Sequence, residues 1–226
     1  PGVDGSRFVM RQCADDACRF RFPAPATLVE LPCPRCKGPT LVVMTEKPEG
    51  SLRPERSPKP VTSPLPLEAL LDNIRSTYNV GSMMRTADGA GLGRLHLCGI
   101  TATPEHPGVG KTALGSEDAV PWTAYPNALD AADALQAQGY RLWALESGLQ
   151  AGSLYDVQSL PDAPLVLVVG NELAGVDPAL LARCERVLSL PMQGVKGSLN
   201  AAVAFGIAVY HLRFGVPAFR SATTKR

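Results

Sequence analysis

Two pairs of cysteines near the start of the chain, Cys13-x4-Cys18 and Cys33-x2-Cys36, offer four thiolates to one metal ion. In Cys33-Pro34-Arg35-Cys36-Lys37-Gly38 the two sulfurs straddle a tight turn, and the glycine lets the backbone fold under the metal. Cys13, Cys18, Cys33 and Cys36 suffice for a closed tetrahedral zinc site. A segment this short cannot bury enough apolar surface to fold alone, and zinc adds on the order of 10 kcal/mol. The competing reading is a pair of disulfides or loose thiols, which an intracellular setting disfavours for the disulfides. A site closed by four thiolates leaves no open position, so its role is recognition or stabilisation rather than catalysis. Cys98 and Cys184, in a strand and near a helix end, read as core residues.

A second set of chemistry-bearing residues lies in the last third. The apolar run Leu165–Val169 reads as a strand buried on both faces, and Gly170-Asn171-Glu172 follows it directly. A second segment, Val187–Leu190, leads into Pro191-Met192-Gln193-Gly194, with a helix expected from Ser198. Parallel α/β sheets bind ligands at the carboxyl ends of their strands. Glu172, Ser198 and Asn200 are therefore expected in one crevice. Another polar cluster, Asn73-Ile74-Arg75-Ser76 and Asn79 through Asp88, suggests Asn79 as a helix cap with Arg85 projecting from the second turn. A solvated helix charge is the plainer reading of Arg85.

Other patterns fall short. Gly108-Val109-Gly110-Lys111-Thr112 resembles the end of a phosphate-binding loop, but Glu105 stands where that pattern needs glycine. Gly89, Gly91 and Gly93 follow a helix and more simply end it. His96, His106 and His211 lack metal-ligand spacing; only His106, in a Pro-flanked loop, draws notice.

The elements that position these residues follow from the pattern. The chain of 226 residues is 45% hydrophobic and 6% aromatic, enough for one aliphatic core and a small appendage. A net charge of +1 gives no global field for a polyanion, so basic residues must act locally. Residues 1–60 carry ten Lys/Arg against seven Asp/Glu, a weak tilt. No run approaches membrane-spanning length and no signal pattern opens the chain, so it reads as soluble and cytoplasmic, with no membrane partner and no DNA expected. Three parts are expected: a zinc-ribbon-like domain over 1–46, a Pro-rich linker over 47–66, and an α/β domain over 67–226. In the linker, Arg53, Arg56 and Lys59 are candidates to touch phosphates, and a solvated spacer is favoured. The third part alternates strands (67–72, 94–99, 120–124, 140–146, 165–169, 187–190) with helices (79–89, 108–115, 127–138, 178–184, 198–212). That alternation predicts a mostly parallel sheet with helices on both faces.

Three segments together carry a resemblance. They are Asn79-x-Gly81-x-x-x-Arg85, Gly170-Asn171-Glu172-x-x-Gly175-Val176, and Leu190-Pro191-Met192-x-Gly194-x-x-x-Ser198-Leu199-Asn200. In this order and spacing the chain resembles the SpoU/TrmH branch of the SPOUT superfamily, RNA ribose 2′-O-methyltransferases, over roughly Leu67 to Leu212. Ala201-Ala202 stands where relatives often have Val-Ser. The resemblance implies a C-terminal trefoil knot, an exception to the unknotted rule, and a homodimer paired through the first-motif helix and the final helix. It implies S-adenosylmethionine as cofactor and tRNA or rRNA as substrate. By this analogy Leu145, Glu146, Ser147, Gly148, Gly170, Asn171, Leu190, Met192, Gly194, Ser198 and Leu199 bind the cofactor. Asn79, Arg85, Glu172, Ser198 and Asn200 form the catalytic set. Arg85 is either a proton acceptor or, because a guanidinium holds its proton firmly, a clamp on the adjacent phosphate. Asn79, Ser198 and Asn200 orient Arg85 and the ribose, and Glu172 pairs with Arg85 or fixes the knot loop. The alternative function is RNA binding by a methyltransferase-like fold without catalysis.

Overall fold

The structure, a computed structural model, describes residues 8–44, 66–148 and 151–217. All of the expected linker except Pro66, including Arg53, Arg56 and Lys59, lies outside the described residues. The chain divides into two compact units, Pro1–Lys59 and Pro60–Arg226.

The first unit holds three strands that the sequence pattern did not reveal: β1 (Phe8–Cys13), β2 (Arg21–Pro25) and β3 (Thr40–Met44). They form an antiparallel sheet in the order β2-β1-β3. Prolines 23 and 25 disguise β2, and they are tolerated because β2 is an edge strand. In β1 the buried positions Val9, Arg11 and Cys13 alternate, with a charged residue where an apolar one is usual. Arg11 is held there by its terminal nitrogens: Nη2 donates to the carbonyls of Leu28 and Val29 at 2.7 and 2.6 Å, and Nη1 to Thr40 Oγ1 at 3.0 Å, while its buried Nε has no partner.

The second unit is built on a parallel sheet. Its strands are β4 (Leu67–Asp72), β5 (Leu95–Cys98), β6 (Trp122–Tyr125), β7 (Arg141–Leu145), β8 (Gly152–Ser153), β9 (Leu165–Val169) and β10 (Arg186–Ser189). They lie in the order β6-β5-β4-β9-β7-β10-β8, and every pairing is parallel. The helices are α1 (Thr77–Ala90), α2 (Pro107–Ala113), α3 (Ala128–Ala137), α4 (Pro178–Leu181) and α5 (Ala201–Tyr210). Each residue of central strands β4 and β9 is buried, because both sheet faces are covered. Ala69, Leu71, Leu167 and Val169 pack with Met83 and Met84 of α1 and Phe205 and Val209 of α5. On the opposite face Leu70, Val166 and Val168 pack with Ala131 and Leu135 of α3 and Leu180 of α4. No helix among the described residues is long and apolar enough to cross a membrane.

Several expected boundaries move for identifiable reasons. α1 is capped by Ser76, whose Oγ accepts from the Asn79 amide at 3.3 Å, so Asn79 sits in the first turn rather than at the cap. α5 starts at Ala201 because Asn200 Oδ1 accepts from the amides of Ala202 and Val203; Ser198 lies before the helix. α5 then runs into a π-helical turn, His211–Gly215. β5 is buried throughout, and its His96 is accommodated because Nε2 meets Glu68 Oε2 at 2.7 Å, while Glu68 also accepts from Tyr140 at 2.8 Å. His106 serves as the cap of α2, its Nδ1 accepting from Gly108 at 3.0 Å.

Candidate functional site

The parallel order points the carboxyl ends of β4, β7, β9 and β10 to one edge. Four loops leave those ends. The loop after β9 is a tight turn in which Asn171 and Gly175 exchange backbone bonds at 3.0 and 2.9 Å, with Gly175 at φ 75°. Asn171 Oδ1 accepts from the amides of Leu173 and Ala174, both at 3.0 Å, and its Nδ2 donates to the carbonyl of Asn73 at 2.7 Å. A polar residue directly after an apolar strand thus ties the β9 turn to the loop after β4. Gly170 is required by this turn and not by an approaching ligand: a Cβ there would lie 2.3 Å from the Val176 amide nitrogen. Glu146, after β7, braces the same turn by accepting from Val176 at 2.8 Å, and it accepts from the Ser147 amide at 2.8 Å.

The loops after β7, β9 and β10, with the start of α5, border a cavity of about 290 Å³. That is near the lower end of ligand-site volumes. Of the expected cofactor-binding residues, Leu145, Glu146, Ser147, Gly170, Asn171, Leu190, Met192, Ser198 and Leu199 line it, while Gly148 and Gly194 do not. Glu172 and Asn200 line it as well. The sequence reading omitted Val169, Leu173, Ala201 and Ala204, which add to the apolar wall. Their signal was position alone, as neighbours of the polar residues. The walls suit a ligand with a flat apolar part. Ser147, Ser198 and the open backbone suit a sugar.

Asn79, Glu172 and Asn200 form a hydrogen-bonded chain. Asn79 Nδ2 donates to Glu172 Oε1 at 2.8 Å, and Asn200 Nδ2 donates to Asn79 Oδ1 at 3.1 Å. Glu172 further accepts from the amides of Arg75 at 2.9 Å and Ser76 at 3.0 Å. Partial burial works against the Glu172 charge, but the Arg75 and Ser76 amides and Asn79 outweigh it and hold its pKa below the usual glutamate range. The carboxylate is saturated by these donors, and no Glu172–Arg85 ion pair forms. Arg85 sits six residues beyond Asn79 on α1, about 120° around the helix. It opens instead on a separate cavity of about 520 Å³, with Ser82, Thr86, Lys111, Thr112, Leu114 and Tyr210. Ser198 lines the first cavity without a direct bond to Arg85.

In the first unit the sulfurs of Cys13, Cys18, Cys33 and Cys36 all lie within 4.8 Å of one another. Cys13 and Cys36 are 3.4 Å apart and Cys18 and Cys33 are 3.8 Å apart. Tetrahedral zinc with Zn–S near 2.3 Å requires sulfurs about 3.8 Å apart. The left-handed turn after Cys36 is taken by Lys37, φ 65°, and not by Gly38. Gly38 instead leaves room for sulfur: a Cβ there would lie 3.4 Å from Cys36 Sγ and 3.8 Å from Cys13 Sγ. Burial opposes ionisation of Cys33, but the amides of Cys36 and Arg35 bring it down to about 7. The Asp15 backbone favours a Cys13 thiolate, yet burial and the neighbouring sulfurs push Cys13 up to about 12. Four thiolates this close ionise together only around a cation.

Residues 66–210 match the SpoU rRNA Methylase family. The chain is similar to the 23S rRNA (guanosine(2553)-2′-O)-methyltransferase RlmP of Bacillus subtilis, 39% identical over 145 residues that cover 64% of this chain and 56% of that protein. It is similar in structure to an AdoMet-bound rRNA methyltransferase from Sinorhizobium meliloti, with a TM-score of 0.63 and 28% identity over 67% of this chain and 57% of that one. A TrmH/SpoU tRNA modifying enzyme from A. aeolicus gives a TM-score of 0.58 and 27% identity over 65% of this chain and 73% of its own. The chain spans about half the length of the curated relatives it matches. The family match takes in every loop around the strand-end cavity and most of the chain, and the chain belongs to the SpoU rRNA Methylase family.

Proposed function

We propose that the chain transfers a methyl group from S-adenosylmethionine to a ribose 2′-hydroxyl of structured RNA, tRNA or rRNA. The observation that carries this reading is the Asn79–Glu172–Asn200 chain, which joins all three family segments beside one cavity. Bound S-adenosylmethionine supplies an electrophilic methyl on sulfonium sulfur. Leu145, Leu190, Met192 and Leu199 are the residues to hold its apolar part, with Glu146, Ser147, Asn171 and Ser198 as polar partners. The protein's task is then to position the hydroxyl, favour loss of its proton and exclude water. Glu172, charged at neutral pH, fixes Asn79 and through it Asn200 and the start of α5. Arg85 acts as the phosphate clamp next to the target ribose.

Arg85 lies outside the cavity of its own subunit, and a homodimer accounts for that. α5 and the turn after it leave Val203, Tyr210 and Phe214 exposed by 51%, 47% and 66%, an apolar stripe at helical spacing. Pairing two copies through this stripe and α1 covers it and carries each Arg85 toward the other copy's cavity. A trefoil knot over the C-terminal portion belongs to the same reading. Support comes from the strand order, in which the late strand β9 lies between β4 and β7. The division into a ribbon (1–46), a linker (47–66) and a methyltransferase domain (67–226) is likewise proposed. So are structural Zn²⁺ on Cys13, Cys18, Cys33 and Cys36, a role for the ribbon in RNA recognition or in stabilisation, and a cytoplasmic location. None of the six cysteines is in a disulfide, which agrees with a reducing compartment.

The test is methylation of total RNA from a strain lacking the gene, with methyl-labelled S-adenosylmethionine and mapping of ribose methylation. Label at a ribose 2′-oxygen is expected. Cofactor binding and RNA binding without label transfer would instead establish the non-catalytic RNA-binding reading.

A further inference from the structure

Gly108-Val109-Gly110-Lys111-Thr112 is not a phosphate-binding loop, yet it delivers a lysine to a built cavity. The segment forms most of α2, and Lys111 stands in its last turn. α2 lies very close against α1: a Cβ on Gly81 would come within 2.2 Å of both Thr112 Oγ1 and the Val109 carbonyl oxygen. Thr112 Oγ1 also donates to the Tyr78 carbonyl at 2.9 Å. The two helices are therefore locked, and Lys111 and Arg85 line the same cavity of about 520 Å³.

The chemistry of that lining is one-sided. It contains two cations and no carboxylate. The nearby acids are engaged elsewhere. Asp88 accepts from Ser116 Oγ at 3.2 Å, and Glu117 accepts from the Gly115 amide at 2.7 Å. Among the described residues, the side chains of Arg85 and Lys111 have no hydrogen-bond or ion-pair partner. Thr86 and Thr112 direct their hydroxyl protons to backbone carbonyls, which leaves Ser82 and Tyr210 as neutral donors. Unpaired cations with free hydroxyls select an anion that has several acceptor oxygens.

We propose that Lys111 and Arg85, with the Ser82 and Tyr210 hydroxyls, form a cradle for consecutive phosphodiesters of the RNA strand. Lys111 is then a substrate-binding residue outside the three segments that carry the resemblance. The identification of the anion as RNA rests on the proposed function. Tyr210 also belongs to the proposed dimer stripe, so the cradle borders the place where two copies meet.

The experiment compares the full chain with Lys111→Ala and Lys111→Arg. RNA affinity is measured by filter binding across a salt series, cofactor affinity by calorimetry, and methylation by initial rates. Lys111→Ala is expected to weaken RNA binding on the order of tenfold and to lower the salt slope by about 0.7–0.9. Its effect on methylation falls on KM for RNA more than on kcat, cofactor affinity stays within twofold, and Lys111→Arg restores binding. Unchanged RNA affinity and salt slope in Lys111→Ala overturn the cradle, whatever methylation shows. Equal loss of RNA and cofactor affinity overturns it too, since that marks a structural role for α2. A wild-type chain that binds RNA but methylates none would defeat the proposed function, while the affinity arm would still decide the cradle.

Discussion

Asn79 Nδ2 donates to Glu172 Oε1 at 2.8 Å, joining segments 93 residues apart. Glu172 also receives the amides of Arg75 and Ser76, which precede α1. One carboxylate within the β9 turn thus anchors the start of a helix. Glu172→Gln keeps the size but turns an amide NH₂ toward existing donors. A stability loss of about 1–3 kcal/mol is expected by denaturant unfolding. The wild type should also carry a pH dependence that the variant lacks. The folded-state pKa of Glu172 is depressed. Its contribution is therefore full at neutral pH, above the unfolded value, and is lost as pH falls through the folded value. Parallel wild-type and variant stability curves below pH 5 would contradict this.

Arg85→Ala is expected to abolish methylation and to leave S-adenosylmethionine affinity within a few-fold. The separation of effects follows from geometry, because Arg85 does not line the strand-end cavity. Calorimetry and single-turnover methylation on the same preparation check it. Undiminished turnover rules out the role.

Chelation should unfold the first unit alone. The four sulfurs lie within 4.8 Å of one another, and metal binding on the order of 10 kcal/mol exceeds what so small a core supplies. Loss of the ordered amide signals of residues 8–44, with cofactor binding by the second unit retained, is the expected result. Intact signals after metal removal would defeat the zinc assignment.

Gly170→Ala should destabilise the second unit by about 1–3 kcal/mol and weaken cofactor binding. The added Cβ meets backbone at 2.3 and 2.4 Å, in the turn itself, so no side-chain rotation relieves it. Gly194→Ala, with open space around it, is the control and should unfold as the wild type does. Equal midpoints for the two variants would refute the argument.

Some of this architecture was legible in the residues. β4 and β9 were read to the residue; β9 is a continuous apolar run, the pattern two-sided burial writes, while β4 buries Glu68 and Asp72 among its apolar residues. The cap of α1 was misread because Ser76 and Asn79 are both good cap residues, and propensity cannot rank them. What decides it is tertiary: Glu172 claims the Ser76 amide and the Asn79 side chain, which leaves Ser76 Oγ to cap. The strands of the first unit were invisible because β1 turns an arginine inward and β2 carries two prolines. The missing Arg85–Glu172 pair had the same origin. Spacing tells which residues share a helix, but the donors that saturate a carboxylate come from distant chain.

The inward Arg11 has a thermal consequence. Among the described residues, apolar burial in the first unit is confined to Val9, Ala24 and the sulfur-bearing Cys13 and Cys33. Its interior is held by directional bonds from a guanidinium to Leu28, Val29 and Thr40. Heat capacity rises on unfolding in proportion to the hydrocarbon exposed, and here there is little to expose. A shallow curve of free energy against temperature is therefore expected for this unit, and with the proposed zinc in place, warming or chilling should loosen it less than withdrawal of the metal.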